Sequence, residues 1–269
     1  MKNQENTNPS IFSLSGRIDI LMLDTTESLE KDLRNHPELL SILRNNDVST
    51  LYWPDCSGFT AELSQPSDFQ EFMSIGNMKI MKGPQTDGLA IEKNSAVMFE
   101  TTECSPIVIY HDKRNDLLIT AKAGFNSVID KLQIFHGQKF REHWSVIDNI
   151  AKLADAHESY DYEIFIVGGL EPDSFRYDIE EPGSETANKM VLSFLQNNYA
   201  ENAVPLGEKH GGVSVPSIIG EQFILHGFKS KRISYQKMQT SPSLCWWDHC
   251  YDATGGKTCA RKVILIIYK

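Results

Sequence analysis

The sequence has no apolar run approaching the roughly 20 residues that a membrane-spanning helix needs. Its opening, "MKNQENTNPS", lacks the apolar core of a secretory signal, and residues 1–10 read as a flexible polar tail. There is no excess of positive charge: 26 Lys and Arg stand against 36 Asp and Glu, a net charge of -10. That balance argues against generalised binding to nucleic acid or to an anionic membrane surface. Cysteine is sparse and odd in number, five in 269 residues. A disulfide framework is therefore not expected, and the cytoplasm is the expected compartment. No internal repeat, low-complexity linker or composition break divides the chain, so residues 11–269 are expected to form a single domain.

What is present is an alternation of strand-like and helix-like stretches. "RIDILMLD" has strand length, and "TTESLEKDLRNHPELLSILRN" after it has helical spacing, with Thr26 as N-cap and Glu30 close behind. "STLYWPDC" reads as a strand that Pro54 ends. "GPQTDGLAI" is a turn feeding a strand, and "SAVMFETTEC" is a strand after it. "HWSVIDNIAKLADAH", "SETANKMVLSFLQNN" and "VPSIIGEQFILHGF" read as helices, and "YEIFIVGGL" as a buried strand ending in Gly-Gly. The last stretch, "RKVILIIYK", is apolar almost throughout, the pattern of a strand buried on both faces. The fold class that follows is α/β or mixed α+β.

The densest candidate chemistry lies in the hairpin "CSPIVIYHDKRNDLLITAK". A turn centred near Lys113–Arg114 puts Cys104 opposite Lys122 or Ala123. Cross-strand partners stand about 4.5–5.5 Å apart at Cβ. A cation at that distance favours the thiolate, whereas burial and the adjacent Glu103 oppose it. The bland alternative is a buried structural cysteine beside a lysine whose stem covers apolar surface. His111 does not serve Cys104, because seven strand residues of about 3.3 Å each place them at opposite ends of one strand.

Other motifs carry less. "CWWDHC" with Cys259 lacks the paired Cys/His spacing of a zinc site. "GGKT" lacks the first glycine of a phosphate loop, since Tyr251 stands there, and it precedes a strand where such a loop needs a helix. The Gly-Gly at 168–169 is either a tight turn or a close approach to a ligand. His136, His143, His157, His210 and His226 are scattered, without ligand spacing.

The order of these pieces resembles that of the YfiH-like laccase-domain family, also called multicopper polyphenol oxidase-like. The family's "ADAL", "DC-x-P" and "HAGWRG" segments have counterparts in "TDGL" (Thr86–Leu89), "ECSP" (Glu103–Pro106) and "KAGFNS" (Lys122–Ser127). Its "IGP" strand end and "YE" pair resemble "IVGGLEPDSFRYD", with Tyr177–Asp178 in the second role. Its closing segment resembles "CWWDHCYDATGGKTCARKVILII", with Arg261 in the Arg position. The likeness runs from about Ile75 to the C-terminus.

The resemblance implies two sheets packed between helices. It also implies purine nucleoside phosphorolysis or deamination, or phenol oxidation, at a metal held by two His and one Cys. The Cys corresponds to Cys104, but Lys122 stands at one His position and Ile75, in "SIGN", at the other. Neither Ile nor protonated Lys offers a lone pair to a metal. The expectation is thus a divergent member with its metal site lost or altered and no cofactor. It would bind a purine-nucleoside-like or aromatic small molecule, with Cys104 and Lys122 as chemical groups and Glu103, Gly124, Tyr177 and Arg261 as binding residues. Bacterial toxin domains of the same fold deamidate glutamine with a Cys and a His. A metal-free cysteine hydrolase or deamidase, with Cys104 as nucleophile, therefore stays open. So does a noncatalytic binding protein on the same scaffold.

Overall fold

The computed structural model describes residues 10–14, 16–25, 33, 36–57, 60–101, 106–137, 145–155, 161–169, 183, 185–200, 212–236 and 261–269. In chain order the elements are β1 (Ser10–Leu14), β2 (Ile18–Thr25), α1 (Pro37–Asn45), β3 (Thr50–Asp55), β4 (Leu63–Ser64), β5 (Gln70–Ile75), β6 (Met78–Gln85), β7 (Gly88–Ile91), β8 (Ser95–Thr101), β9 (Ile107–Asp112) and β10 (Leu117–Lys122). Then follow α2 (Phe125–Val128), α3 (Lys131–His136), α4 (Val146–Asp155), β11 (Tyr162–Val167), α5 (Glu185–Asn198), α6 (Val215–Leu225), β12 (Ile233–Gln236) and β13 (Arg261–Tyr268). No helix among the described residues is long and apolar enough to cross a membrane.

The strands form two mixed sheets. One has the order β1-β2-β13-β8-β3-β6-β5 and the other β12-β11-β9-β10-β7-β4. They meet face to face because their central strands are apolar on both sides. On β13, Ile264, Ile266 and Tyr268 enter the joint between the sheets, while Val263, Leu265 and Ile267 pack on the outer face with Leu39, Leu40 and Leu43 of α1. On β9, Ile107 and Ile109 enter the joint, while Val108 and Tyr110 pack beneath α4, α5 and α6. The layers therefore run helix, sheet, sheet, helices, as the resemblance implies.

Several local expectations change. Helix α1 starts at Pro37, the N1 position. A proline inside a longer helix would lack its N–H bond and clash with the preceding turn. The expected N-cap Thr26 and Glu30 lie outside the described residues. Pro54 does not end β3; the strand absorbs it with a register shift between Trp53 and Asp55. Ser10, placed in the tail by its composition, opens β1 and pairs with Met22.

The hairpin register also differs. Lys122 pairs with Ile107, and Leu117 with Asp112; Cys104 itself lies outside the described residues. The turn lies later than expected because Asp112 organises it. Its Oδ1 accepts from the N–H groups of Arg114 and Asn115 at 3.0 and 3.2 Å. Asp116 then closes the turn at φ +52°. The Gly-Gly pair takes positive φ at both residues, and a Cβ on Gly169 would lie 2.8 Å from Pro216 Cγ. It is a close-packed turn.

Gly88 lets β7 approach β10. A Cβ there would lie 2.4 Å from the Thr120 carbonyl oxygen and 2.7 Å from Ala121 Cβ. Gly88→Ala should force the strands apart and cost about 1–3 kcal/mol. Urea unfolding should show a lower midpoint at unchanged slope; an unchanged midpoint would contradict this packing.

Candidate functional site

One end of the sandwich gathers polar groups from both sheets. Cys56 follows β3, Asp87 precedes β7, Glu100 lies near the end of β8, and Lys122 ends β10. The connections hold these ends together. Thr86 N–H donates to the Asp55 carbonyl at 2.9 Å, and Lys122 N–H donates to the Asp87 carbonyl at 2.8 Å. Ala123 N–H donates to the Pro106 carbonyl at 2.8 Å, which fixes the chain just after residues 102–105. Gly124 caps α2 at φ -65° and ψ 162°, without a side-chain bond of its own.

Asp87 is the most buried charged group at this end, 1% exposed. Its Oδ2 accepts from Ala61 N–H at 2.7 Å, and Ala61 is held at φ +58°. Its own N–H donates to the Glu62 carbonyl at 3.1 Å. Helix α4 reaches the same loop, since Asn149 Nδ2 donates to the Ala61 carbonyl at 2.7 Å. The Ser127 hydroxyl lies near the carboxylate and favours its charged form, yet among the described residues neither Ser127 Oγ nor Asp87 Oδ1 has a partner in hydrogen-bond geometry. Burial pushes the carboxyl pKa up, and the Ala61 N–H, Ser127 and Lys122 oppose that rise only in part.

Lys122 is partly exposed, and among the described residues its ammonium makes one hydrogen bond, 3.4 Å to the Glu100 carbonyl. Its charge acts on Asp87 and on Cys56. Burial nevertheless pushes the Cys56 thiol up to about 12, with Lys122 lowering it and Asp87 and Asp55 raising it. Cys56 is therefore a neutral thiol at physiological pH, neither nucleophile nor ready metal ligand.

These positions alter the expected site. Ile75 is not beside Lys122: it lies on β5, the outer edge strand of the seven-stranded sheet, and packs against the cluster under α1. The residue that this part of the chain brings towards Lys122 is Cys56. Arg261 begins β13 at the same end, where Lys262 pairs with Thr101, and only its backbone is described. Cys104, Glu103 and Tyr177 lie outside the described residues. Asp87 stands inside the quoted "TDGL" segment. An acidic residue just before an apolar strand was the available sign of a buried carboxylate.

The metal implied by the resemblance finds no fitting set of groups among the described residues. Among the described residues no cluster of three or more His, Cys, Asp or Glu could hold a metal ion. Lys122 offers a charge of the wrong sign, and Cys56 is held as a thiol.

No family model matches the sequence, and none of the curated proteins matches it. Solved structures do. YfiH of Bacillus licheniformis superposes with a TM-score of 0.61 at 12% identity, over 94% of this chain and 93% of that one. YlmD of Geobacillus stearothermophilus gives 0.61 at 12% identity, over 94% and 92%. A Neisseria meningitidis protein of the DUF152 family gives 0.52 at 11% identity, over 97% and 99%. At such low identity the likeness concerns the path of the backbone and carries no residue roles. Over nearly its whole length, the chain has the YfiH-like fold.

Proposed function

We propose that the protein binds a purine-nucleoside-like or aromatic small molecule at the end of the sandwich marked by Lys122, and that it does so without a metal at that position. The observation that carries this reading is the charge of Lys122 acting on the buried Asp87. Among the described residues, one is an ammonium with donors to spare and the other a carboxylate whose Oδ1 has no partner. A buried polar group without a partner costs about 1–3 kcal/mol. Groups held so are concentrated at functional sites. A heterocyclic base presents both acceptors and donors on its edge. Lys122, as the exposed member, meets a ring nitrogen or carbonyl, and the covered Asp87 sets the charge of the place. Gly124 and the backbone of Arg261 lie at this end, and Glu103 and Cys104 are assigned to the same binding role on the resemblance of their sequence segment.

Titration calorimetry with adenosine, inosine and a simple phenol tests the reading. At least one should bind, and Lys122→Met should weaken it by about 10- to 150-fold, the loss of one charge-assisted hydrogen bond of about 1.5–3 kcal/mol. Lys122→Met with unchanged affinity would remove Lys122 from the site.

Asp87→Asn separates a functional carboxylate from a structural one. Because the folded-state pKa of Asp87 is raised, its contribution to stability is lost as pH rises through that pKa. Asn keeps an oxygen for Ala61 N–H and removes the buried charge. The variant should be as stable as the wild type in acid and more stable at pH 7, by urea midpoint, while ligand binding falls. A variant less stable at pH 7 would make Asp87 a structural anchor only.

A further inference from the structure

At the opposite end of the sandwich, His111 faces the joint from β9. It is 1% exposed. Its Nε2 lies 3.5 Å from the hydroxyl of Tyr268 on β13, so the pair links one sheet to the other. The two rings meet edge to face with centroids 5.6 Å apart. Nδ1 is buried without a partner. Directly across on β11 stands Glu163, the register partner of His111. Glu163 Oε1 pairs with Lys113 Nζ at 2.7 Å, while its Oε2 is buried without a partner. Register partners of one face stand about 4.5–5.5 Å apart at Cβ. An imidazole nitrogen and a carboxylate oxygen without partners among the described residues thus belong to directly opposed cross-strand residues.

We propose that His111 is an acid-sensitive latch between the two sheets: the neutral ring holds Tyr268 and keeps this end of the joint closed, and a proton on Nδ1 turns the ring to Glu163 and releases Tyr268. The imidazolium would donate from Nδ1 to Glu163 Oε2, which draws that carboxylate from Lys113. The charged neighbours come from each element around the ring: Glu163 on β11, Asp112 on β9, Lys113 and Asp116 in the β9–β10 turn, and Arg17 in the β1–β2 turn. Leu118, its partner on β10, adds none. Arg17 and Lys93 both hold Asp116, and Lys269 holds Asp19, so these charges are already matched. Burial holds the ring below its ordinary value of 6.5, aided by Lys113 and Arg17 and opposed by Glu163 and Asp112. For a histidine lowered in this way, the closed joint is favoured above the ordinary value and loses stability as pH falls below it.

Hydrogen exchange, corrected for the intrinsic pH dependence of the amides, tests the latch between pH 7.5 and 5.0. In the wild type, the open fraction at Ala96–Val97 and Ile266–Ile267 should rise by up to about tenfold per pH unit through the titration of one group. In His111→Gln it should stay flat. Equal pH dependence in both proteins, or none in the wild type, would overturn the proposal. Glu163→Gln keeps His111 and alters a partly exposed side chain, so it serves should His111→Gln fail to fold. Without the carboxylate the ring binds its proton less readily, and the opening should move to lower pH; an unmoved transition would equally overturn the latch.

Discussion

The carboxylate of Asp87 sits in the protein interior, and the end of the sandwich around it is shaped by the need to satisfy it. Its Oδ2 draws in the Ala61 backbone, and Ala61 adopts a left-handed conformation there. Its carbonyl holds the backbone of Lys122, so one residue fixes the loop before β4, the start of β7 and the end of β10. Desolvation would make a lone carboxylate there costly. Lys122, Ser127 and the Ala61 N–H offset only part of that cost, as the raised pKa records. Burial, joined by the charges of Asp87 and Asp55 and opposed by that of Lys122, keeps Cys56 a neutral thiol.

The rest of the fold brings these groups together. The two sheets stack through apolar inner faces, and polar residues collect at the two ends of the joint. One end holds Asp87, Lys122 and Cys56. The other holds His111, Glu163 and Tyr268, with the surface pairs of Arg17, Lys93 and Asp116 around them. A bound metal of the kind the resemblance implies would need lone-pair donors where this chain places an ammonium. The backbone path itself superposes on that of YfiH over nearly the whole chain.

Much of the fold was legible in the sequence because its central elements repeat one simple pattern. The apolar run of β13, the buried β11, and helices α4, α5 and α6 all stand where periodicity places them. The edges were harder to read. Strands β5 and β12 carry mixed, partly exposed residues with no inward alternation, and β1 opens within a polar stretch. The hairpin register depended on the Asp112 carboxylate, a side-chain effect that strand spacing does not reveal. Lys122 was found through its place beside "AGF". Cys56 and Asp87 were passed over because each looks ordinary alone: a cysteine after a proline-bearing strand, and an acid in a turn. Ile75 was misplaced because a short marker such as "SIGN" fixes no strand order. Only the pairing of β5 to β6 at the sheet edge does that.

The central claim is that an ammonium and a buried carboxylate stand where the resemblance implies a metal. Metal content tests it most directly. The protein would be expressed with zinc and copper in the medium, purified without chelators, and assayed by elemental analysis beside Cys56→Ala and Cys104→Ala. The account predicts well under one equivalent of either metal per chain, unchanged in both variants. One equivalent in the wild type, lost in either variant, would contradict it.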